Sequence, residues 1–311
     1  MAIEAERWGV LYCPRRRSRG AAKHRERLSR LLDERHVAYD LVQSESPDSV
    51  ERLVRMFITN GYKTIVIVGG DSSLNDAVNC LMEMEPSERE EISLGVIPNG
   101  IMNDFSKFWD LKDSDPEKSV ETIINHRTRK VDVGKLNYKD RKGRLLGRYF
   151  LNCVNVGLIA DIMNLRNQTR SMLGSRVLSF IVSALVIIFH RMEYKMRLSL
   201  NSTTIERRIM NVCIGNSTGY GQTPSAVPYN GMLDVSIVCH PGIFQLFEGF
   251  YLLITGRFLN HRSVIPFRTR KITFSLVSHA KVGVDGRLLG NADGEMDLGV
   301  EPEAINFIIP A

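Results

Sequence analysis

The chain has 311 residues, of which 43% are hydrophobic and 24% are charged, and its formal net charge is +6. These values are ordinary for a globular protein, and the length suits two domains. The five cysteines are widely scattered and form no CxxC pair. This pattern argues against a disulfide scaffold or a zinc site and fits a reducing cytosol. The mild positive charge suits an anionic ligand or membrane surface, but it equally fits a soluble protein with a basic surface.

The longest apolar stretch runs from Val177 to Phe189. It is shorter than the roughly 20 residues that a membrane-spanning helix needs. A buried helix is therefore favoured, and an interfacial helix that touches a membrane is the alternative. The first residues, MAIEAERWGVLY, contain no apolar core of the signal-peptide type.

The first third of the sequence alternates strand-like and helix-like segments. Strands are predicted at 8–12, 37–43, 64–68 and 92–98, and helices at 21–35, 47–60 and about 74–84. Because the connections are short, this alternation predicts a parallel, doubly wound sheet with helices on its faces.

After about Lys130 the strand-like runs come closer together, with turn signals between several of them. The runs are KVDVGKLNY, RYFLNCVNVG, YKMRLSL, RIMNVCIGN, LDVSIVC, KITFSLV and AINFIIP. Helices are predicted at 171–190 and 242–256. The pattern indicates a second, mainly antiparallel domain.

Glycines and short polar residues follow the third predicted strand, in the order Gly69-Gly70-Asp71-Ser72-Ser73. Ligands bind where parallel strands end, glycines let backbone N–H groups approach phosphate, and a helix N-terminus favours anions. The segment thus suits phosphate binding. A tight turn with a serine cap on the following helix explains the same residues without a ligand.

A second turn of the same kind follows the fourth predicted strand, as Asn99-Gly100-Ile101-Met102-Asn103-Asp104-Phe105. Neighbouring parallel strands end at the same edge of a sheet, so the two turns are expected to face each other. The first strand is followed by Arg15, Arg16, Arg17 and Arg19. These arginines are either a solvated face or partners for phosphate groups.

Four blocks of this sequence together resemble the diacylglycerol kinase catalytic-domain family, which includes the sphingosine and ceramide kinases. The family pattern GGDGTxNEV is matched at 69–80, and PxGTxNDFA is matched at 98–106. The segment GQTPSAVPYNGMLDV at 221–235 resembles a third block, and Asp293-Gly294-Glu295 resembles the terminal DGE.

The resemblance implies a fold and a division of the chain. An N-terminal α/β domain at 1–130 carries the nucleotide, and a C-terminal β-sandwich-like antiparallel domain at 131–302 carries the lipid. The last strand, within 303–311, is expected to return to the first domain.

The resemblance also implies an ATP-dependent lipid kinase that transfers the γ-phosphate to a lipid hydroxyl. Asp293 or Glu295 would accept the proton of that hydroxyl, and the choice between them stays open. The residues expected to hold the nucleotide and its Mg²⁺ are Ser44, Gly69, Gly70, Asp71, Ser72, Ser73, Leu74, Asn75, Asp76, Gly100, Ile101, Asn103 and Asp104.

A structural Mg²⁺ site is also implied, with Val227 and Met232 as carbonyl ligands and Asn230 where the family has an aspartate. A neutral amide is a poorer Mg²⁺ ligand than a carboxylate. Two further departures lie in the nucleotide motifs: Ser72 replaces a glycine and Ile101 replaces a threonine. Cys13 replaces the asparagine of the family's N-terminal loop.

Three functions remain in competition. The leading hypothesis is an active lipid kinase that acts on diacylglycerol, a sphingoid base or a related lipid alcohol. The second is a lapsed kinase that binds nucleotide or lipid as a regulator, and the third is an NAD-kinase-like enzyme with a soluble substrate. The expected location is the cytoplasm with peripheral membrane contact and no nucleic-acid partner. Homodimer formation stays open.

Overall fold

The computed structural model describes residues 7–14, 20–100, 102–140, 142–164, 193–239, 241–289 and 294–311. The helix predicted at 171–190, the arginines after the first strand, Ile101 and Asp293 lie outside these residues. The chain divides into two compact units, Met1–Val133 with Pro302–Ala311 (unit 1) and Gly134–Glu301 (unit 2). No helix within the described ranges is both long enough and apolar enough to cross a membrane.

Unit 1 is built on a parallel sheet. Its strands are β1 (Trp8–Tyr12), β2 (Tyr39–Gln43), β3 (Thr64–Gly69), β4 (Ser93–Pro98) and the C-terminal end of β16 (Met296–Ile308). The strand order is β2-β1-β3-β4-β16, and every neighbouring pair in this order is parallel. The β-branched, apolar composition of β3 and β4 suits strands that are covered on both faces.

The helices of unit 1 are α1 (Ala21–Glu34), α2 (Ser49–Thr59), α3 (Asp71–Met82), α4 (Pro86–Arg89), α5 (Asp104–Phe108) and α6 (Pro116–Asn125). On one face of the sheet, Val10 packs in a cluster with Leu32 of α1 and Ile123 of α6. On the other face, Gly9 lies so close to Phe57 of α2 that a Cβ would come within 2.8 Å of the ring. Helices therefore cover both faces, and the predicted doubly wound α/β fold is confirmed.

Unit 2 contains strands from two antiparallel sheets. They are the C-terminal part of β5 (Thr128–Lys139), β6 (Leu145–Phe150), β7 (Cys153–Gly157), β8 (Tyr194–Leu200), β9 (Thr203–Ile209), β10 (Asn211–Gly215), β11 (Leu233–Val238), β12 (Val264–Thr269), β13 (Lys271–Val277), β14 (Val282–Val284), β15 (Arg287–Leu288) and the N-terminal part of β16. Residues 158–164 are helical (α7), and a longer helix spans Ile243–Ile254 (α8).

The first sheet has the order β12-β11-β10-β7-β14-β15, and the second contains β16-β13-β8-β9 with β5 and β6 beside β16. Inward-facing residues of both sheets share one core, in which Val154 and Ile214 of the first sheet join Leu198 and Phe274 of the second. Two antiparallel sheets around a common core form a sandwich, so the predicted architecture of the C-terminal domain is confirmed.

Several predicted bounds were wrong. Helix α3 begins at Asp71 rather than near Leu74, because Gly70 already serves as its N-cap in an extended conformation. The predicted strand at 148–157 is two strands, β6 and β7, which are separated at Leu151 and Asn152. Two strands were not predicted: β9, whose polar residues are nearly consecutive and exposed, and β12, which contains Pro266.

The break between β6 and β7 is held by Asp285, which follows β14. One carboxylate oxygen accepts the N–H of Leu151 at 2.7 Å, and the other accepts those of Asn152 and Cys153 at 3.0 and 2.8 Å. Asp285 is buried and has a positive φ of 43°, and Gly286 follows with a φ of 83°. The buried carboxylate thus satisfies three backbone donors that would otherwise lack a partner.

We expect Asp285→Asn to lower the free energy of unfolding by about 2 kcal/mol, because the amide turns an NH₂ group toward a backbone donor. Denaturant unfolding monitored by circular dichroism measures the loss. Asp140→Asn is the matched control, since Asp140 accepts the N–H groups of Lys142 and Arg144 in the outer turn between β5 and β6. An equal loss in both variants would contradict a special contribution from the buried group.

Candidate nucleotide-binding site

Four strand ends meet at one edge of the unit 1 sheet. The N–H of Cys13 donates to Val68 O, and the N–H of Asn99 donates to Gly69 O. The side-chain amide of Asn99 donates to Cys13 O at 3.2 Å. Ser44, one residue beyond β2, is buried and donates its N–H to Tyr12 O. Hydrogen bonds therefore connect the backbone at the carboxyl ends of the strands, which is where open α/β sheets bind ligands.

Residues 69–73 and 99–105, here called the paired turns, touch backbone to backbone at Gly70 and Gly100. A Cβ on Gly100 would lie 2.5 Å from Gly70 Cα, and a Cβ on Gly70 would lie 2.9 Å from Gly100 Cα. Neither glycine has a positive φ. Glycine is thus required here for close approach rather than for backbone conformation.

Asn103 shapes the second of the paired turns. Its Oδ1 accepts the N–H of Gly100 at 2.8 Å, and its Nδ2 donates to Gly100 O at 3.3 Å. Asn103 is buried and left-handed, with φ 52° and ψ 41°. Asparagine tolerates this conformation better than most residues. Its side chain fixes the peptide that meets Gly70.

Asp71 connects the paired turns from the other side. Its two carboxylate oxygens accept the N–H groups of Asp104 at 3.1 Å and Phe105 at 3.2 Å. These donors open α5, so Asp71 of α3 acts as the N-terminal cap of a different helix. A carboxylate does not attract phosphate, and this geometry makes Asp71 a positioning residue for the turns.

Helix α3 presents its N-terminus at the paired turns. Its N-cap, Gly70, has no side chain to occupy the first-turn N–H groups. Ser72 and Ser73 are the second and third residues of the helix and are partly exposed. Helical N–H groups and hydroxyls at such a terminus suit anion binding. The glycine-to-serine departure at Ser72 does not strain the backbone, because Ser72 is helical and has no positive φ.

The next three predicted residues of α3 are buried. Leu74 is 1% exposed, Asn75 is 0% and Asp76 is 1%. Asn79, one turn later, donates to both the backbone and the side-chain oxygen of Asn75. Asp104, at the start of α5, is also buried. Because they are buried, these residues support the paired turns from inside unit 1.

Glu295 precedes β16 in unit 2 and is exposed. Its carboxylate forms an ion pair with Lys139 of β5 at 3.2 Å. Surface pairs of this kind contribute little to stability, so the carboxylate is available for other chemistry. Its predicted companion Asp293 lies outside the described residues.

The predicted structural metal turn does not fit Mg²⁺ in this chain. Val227 O accepts the N–H of Tyr229 at 2.8 Å, and Asn230 Oδ1 accepts that of Met232 at 2.9 Å. The nearby carboxylate of Asp234 is bound by Arg268 at 2.6 and 3.0 Å. These hydrogen bonds raise the pKa of Arg268. Mg²⁺ is usually bound through one or two carboxylates, whereas this turn offers carbonyl and amide oxygens and its nearby carboxylate is paired with Arg268.

Sequence reasoning missed two residues that hold these regions. Asn99 lies in the second predicted turn, but the hydrogen bond from its side chain to Cys13 O was not predicted. Asp285 was not among the predicted residues. The alternating run Val282-Gly283-Val284 directly before Asp285-Gly286 was a usable signal for a strand that ends in a tight turn.

Comparison with known proteins gives two family matches. The model described as the diacylglycerol kinase catalytic domain matches residues 7–136. The model described as the YegS C-terminal NAD kinase beta sandwich-like domain matches residues 152–309, which is more than half of the chain. The diacylglycerol kinase of Bacillus subtilis (strain 168) is 23% identical over 239 residues, covering 75% of this chain and 74% of that protein.

Solved structures show the same fold. A diacylglycerol kinase from Bacillus anthracis str. Sterne aligns with a TM-score of 0.68 and 15% identity, covering 98% of this chain and 97% of that one. Yeast NADH kinase aligns more distantly, with a TM-score of 0.55 and 8% identity over 99% of this chain and 85% of that one. The motif resemblance and the family matches thus agree: the chain belongs to the diacylglycerol kinase catalytic-domain family, with a YegS-type C-terminal sandwich.

Proposed function

We propose that this protein is a lipid kinase that transfers the γ-phosphate of ATP to a lipid hydroxyl. The observation that carries the proposal is the Gly70–Gly100 contact at the N-terminus of α3, where no Cβ fits between the paired turns. Such close-packed backbone at a helix N-terminus is suited to phosphate oxygens. Membership of the family supports the choice of phosphoryl transfer over simple phosphate binding.

In this proposal the paired turns hold the nucleotide phosphates. The N-terminus of α3 and the hydroxyls of Ser72 and Ser73 donate to phosphate oxygens. Asn103 and Asp71 keep the two turns at their mutual spacing. Because phosphoryl transfer depends mainly on positioning and charge stabilisation, rigid donors of this kind supply much of the required catalysis.

The chemical step is an in-line displacement. The lipid hydroxyl oxygen forms a bond to the γ-phosphorus while the bond to the β,γ-bridging oxygen breaks, and ADP leaves with that electron pair. The hydroxyl proton passes to Asp293 or Glu295 as general base. The products are a phosphorylated lipid, ADP and one proton.

Mg²⁺ is proposed to arrive with ATP, where it neutralises the β- and γ-phosphate oxygens. Within the described residues, no group of three or more His, Cys, Asp or Glu side chains could hold a metal ion by itself. An ion coordinated mainly by the nucleotide is consistent with this, since Mg²⁺ commonly uses substrate phosphates and few protein ligands.

The proposed setting is the cytoplasmic surface of a membrane, where lipid alcohols such as diacylglycerol are presented. The helical geometry at Ser72 supports activity over the lapsed-kinase alternative, because the substituted serine meets no backbone constraint. The similarity to the Bacillus subtilis protein named diacylglycerol kinase supports a lipid acceptor over the nicotinamide dinucleotide of an NAD kinase.

The decisive assay incubates the purified protein with γ-labelled ATP, Mg²⁺ and mixed-lipid vesicles, with NAD as a separate acceptor. We expect labelled lipid from the wild type, and Asp293→Asn or Glu295→Gln to lower kcat by about a hundredfold or more, because the base is lost. The matched control is Glu301→Gln, since Glu301 forms a similar exposed pair with Lys135 at 3.6 Å. Nucleotide binding without labelled lipid would refute the kinase proposal, whereas full rates in both base variants would refute only the assignment of the base.

The positioning role of Asp71 predicts a specific loss in Asp71→Asn. The amide keeps one acceptor but places an NH₂ group toward an N–H donor of α5, so the paired turns separate. We expect ATP affinity to fall about tenfold and the free energy of unfolding to fall by about 1 kcal/mol. Isothermal titration calorimetry and denaturant unfolding measure the two effects.

Asp115→Asn is the control for Asp71→Asn, because Asp115 caps α6 by accepting the N–H of Lys118 at 3.0 Å. This variant shares the helix-capping chemistry but lies in another helix, so its ATP affinity should equal that of the wild type. A matching loss of affinity in both variants would contradict a role specific to the paired turns.

The close approach at Gly100 predicts that Gly100→Ala separates the paired turns. The added methyl group overlaps Gly70 Cα and Asn103 Oδ1, and overpacking of this kind costs about 1–3 kcal/mol. We expect a lower melting temperature and loss of ATP binding. In the control Gly147→Ala the nearest atom lies at 3.4 Å, so that variant should bind ATP normally. Undiminished ATP binding by Gly100→Ala would show that the contact is dispensable.

A further inference from the structure

Helix α8 packs against unit 2 through only part of its surface. Its sequence, IFQLFEGFYLLI, is apolar on nearly every side. Leu246 and Leu253 face inward and pack on a cluster that includes Phe258 and Val264. The loop after the helix is tied back to it, because Gln245 O contacts His261 Nε2 at 2.8 Å and Gln245 Oε1 accepts from Ser263 Oγ at 3.2 Å.

The outer side of α8 exposes large apolar side chains to solvent. Phe244, Phe247, Phe250, Tyr251 and Ile254 are each between 62% and 88% exposed. At about 3.6 residues per turn these five positions fall within roughly one third of the helix circumference. A globular surface helix normally carries polar residues on this side. A continuous aromatic patch of this kind marks an interaction site.

Two arginines flank the two ends of this patch. Arg257 follows the C-terminal end of α8, and its N–H donates to Leu252 O at 2.8 Å. Arg262 precedes Ser263, which contacts Gln245 in the first turn of the helix. Both arginines are exposed, and neither forms an ion pair with any described carboxylate. Glu248 is the single acidic residue of α8 and lies beside the patch.

We propose that α8 is the membrane-docking helix of this protein, and that its occupant is the interface of an anionic phospholipid bilayer. The helix lies in the plane of the bilayer, with its aromatic side chains below the headgroups and Arg257 and Arg262 at the lipid phosphates. The inference rests on the proposed function, since a lipid acceptor brings the enzyme to a bilayer. Charge complementarity at both ends favours this occupant over a second copy of the chain, which would bring like charges together.

The test measures binding of the full chain, without ATP, to phosphatidylcholine vesicles with and without phosphatidylglycerol. We expect F247S/F250S to weaken vesicle binding at least about tenfold, because two aromatic rings that would insert into the bilayer are lost. L145S/L146S is the control, since Leu145 and Leu146 of β6 are also exposed, at 73% and 37%; it should bind as the wild type does. R257Q/R262Q should lose most of the preference for phosphatidylglycerol and its salt dependence.

Two outcomes would overturn the proposal. One is vesicle binding by F247S/F250S at the wild-type affinity while its circular dichroism spectrum is unchanged. The other, in analytical ultracentrifugation without lipid, is a wild-type dimer that F247S/F250S converts to a monomer, since a second copy would then cover the patch.

A separate assay tests the proposed function without a bilayer. It measures phosphorylation of a short-chain diacylglycerol dissolved below its micellar concentration. Equal phosphorylation of this substrate by the wild type and F247S/F250S, together with lost vesicle binding, supports docking through α8. Absence of phosphorylation by the wild type, both here and with the mixed lipids of the kinase assay, refutes the kinase proposal, and the vesicle result still decides the function of the helix.

Discussion

The contact between Gly70 and Gly100 determines the geometry of the candidate site. Two strand-to-helix turns from neighbouring strands approach until their Cα atoms leave no space for a methyl group. The approach is possible only because β3 and β4 run parallel and in register from Thr64 and Ser93 to Gly69 and Pro98. The β-branched residues of the unit 1 sheet thus fix the positions of β3 and β4, and the two strands in turn fix the spacing of the turns at their ends, where α/β sheets bind ligands.

Carboxylates in both units are used to hold backbone donors. Asp71 joins two turns by accepting N–H groups at the start of α5, and Asp285 spans the break between β6 and β7 in unit 2. Each group replaces hydrogen bonds that the local backbone geometry cannot form. An aspartate in a motif can therefore be required because it shapes the site, even where it does not touch the reacting atoms.

Repeating local patterns made the secondary structure and fold class predictable from sequence. β-Branched runs that alternate with amphipathic segments indicated the parallel sheet, and glycines at neighbouring strand ends indicated the paired turns. The partners of Asp71 and Asp285 were not predictable, since they lie 33 and 134 residues away. Local pattern also failed for the edge strand β9, where Glu206, Arg207 and Arg208 are consecutive and exposed. It could not show which side of the apolar helix α8 faces water.

Unit 1 is completed by the last strand of the chain, β16, which follows all of the other strands of unit 2 in the sequence. Its C-terminal end pairs with β4, and buried Phe307 and Ile308 complete the core around the parallel sheet. Glu303, with a φ of 51°, donates its N–H to Asp132 at 2.9 Å where the strand enters unit 1. Residues 302–311 leave the ribosome only after all of unit 2 has been made. During synthesis, the parallel sheet of unit 1 therefore keeps an unpaired edge at β4 until these last residues have been made.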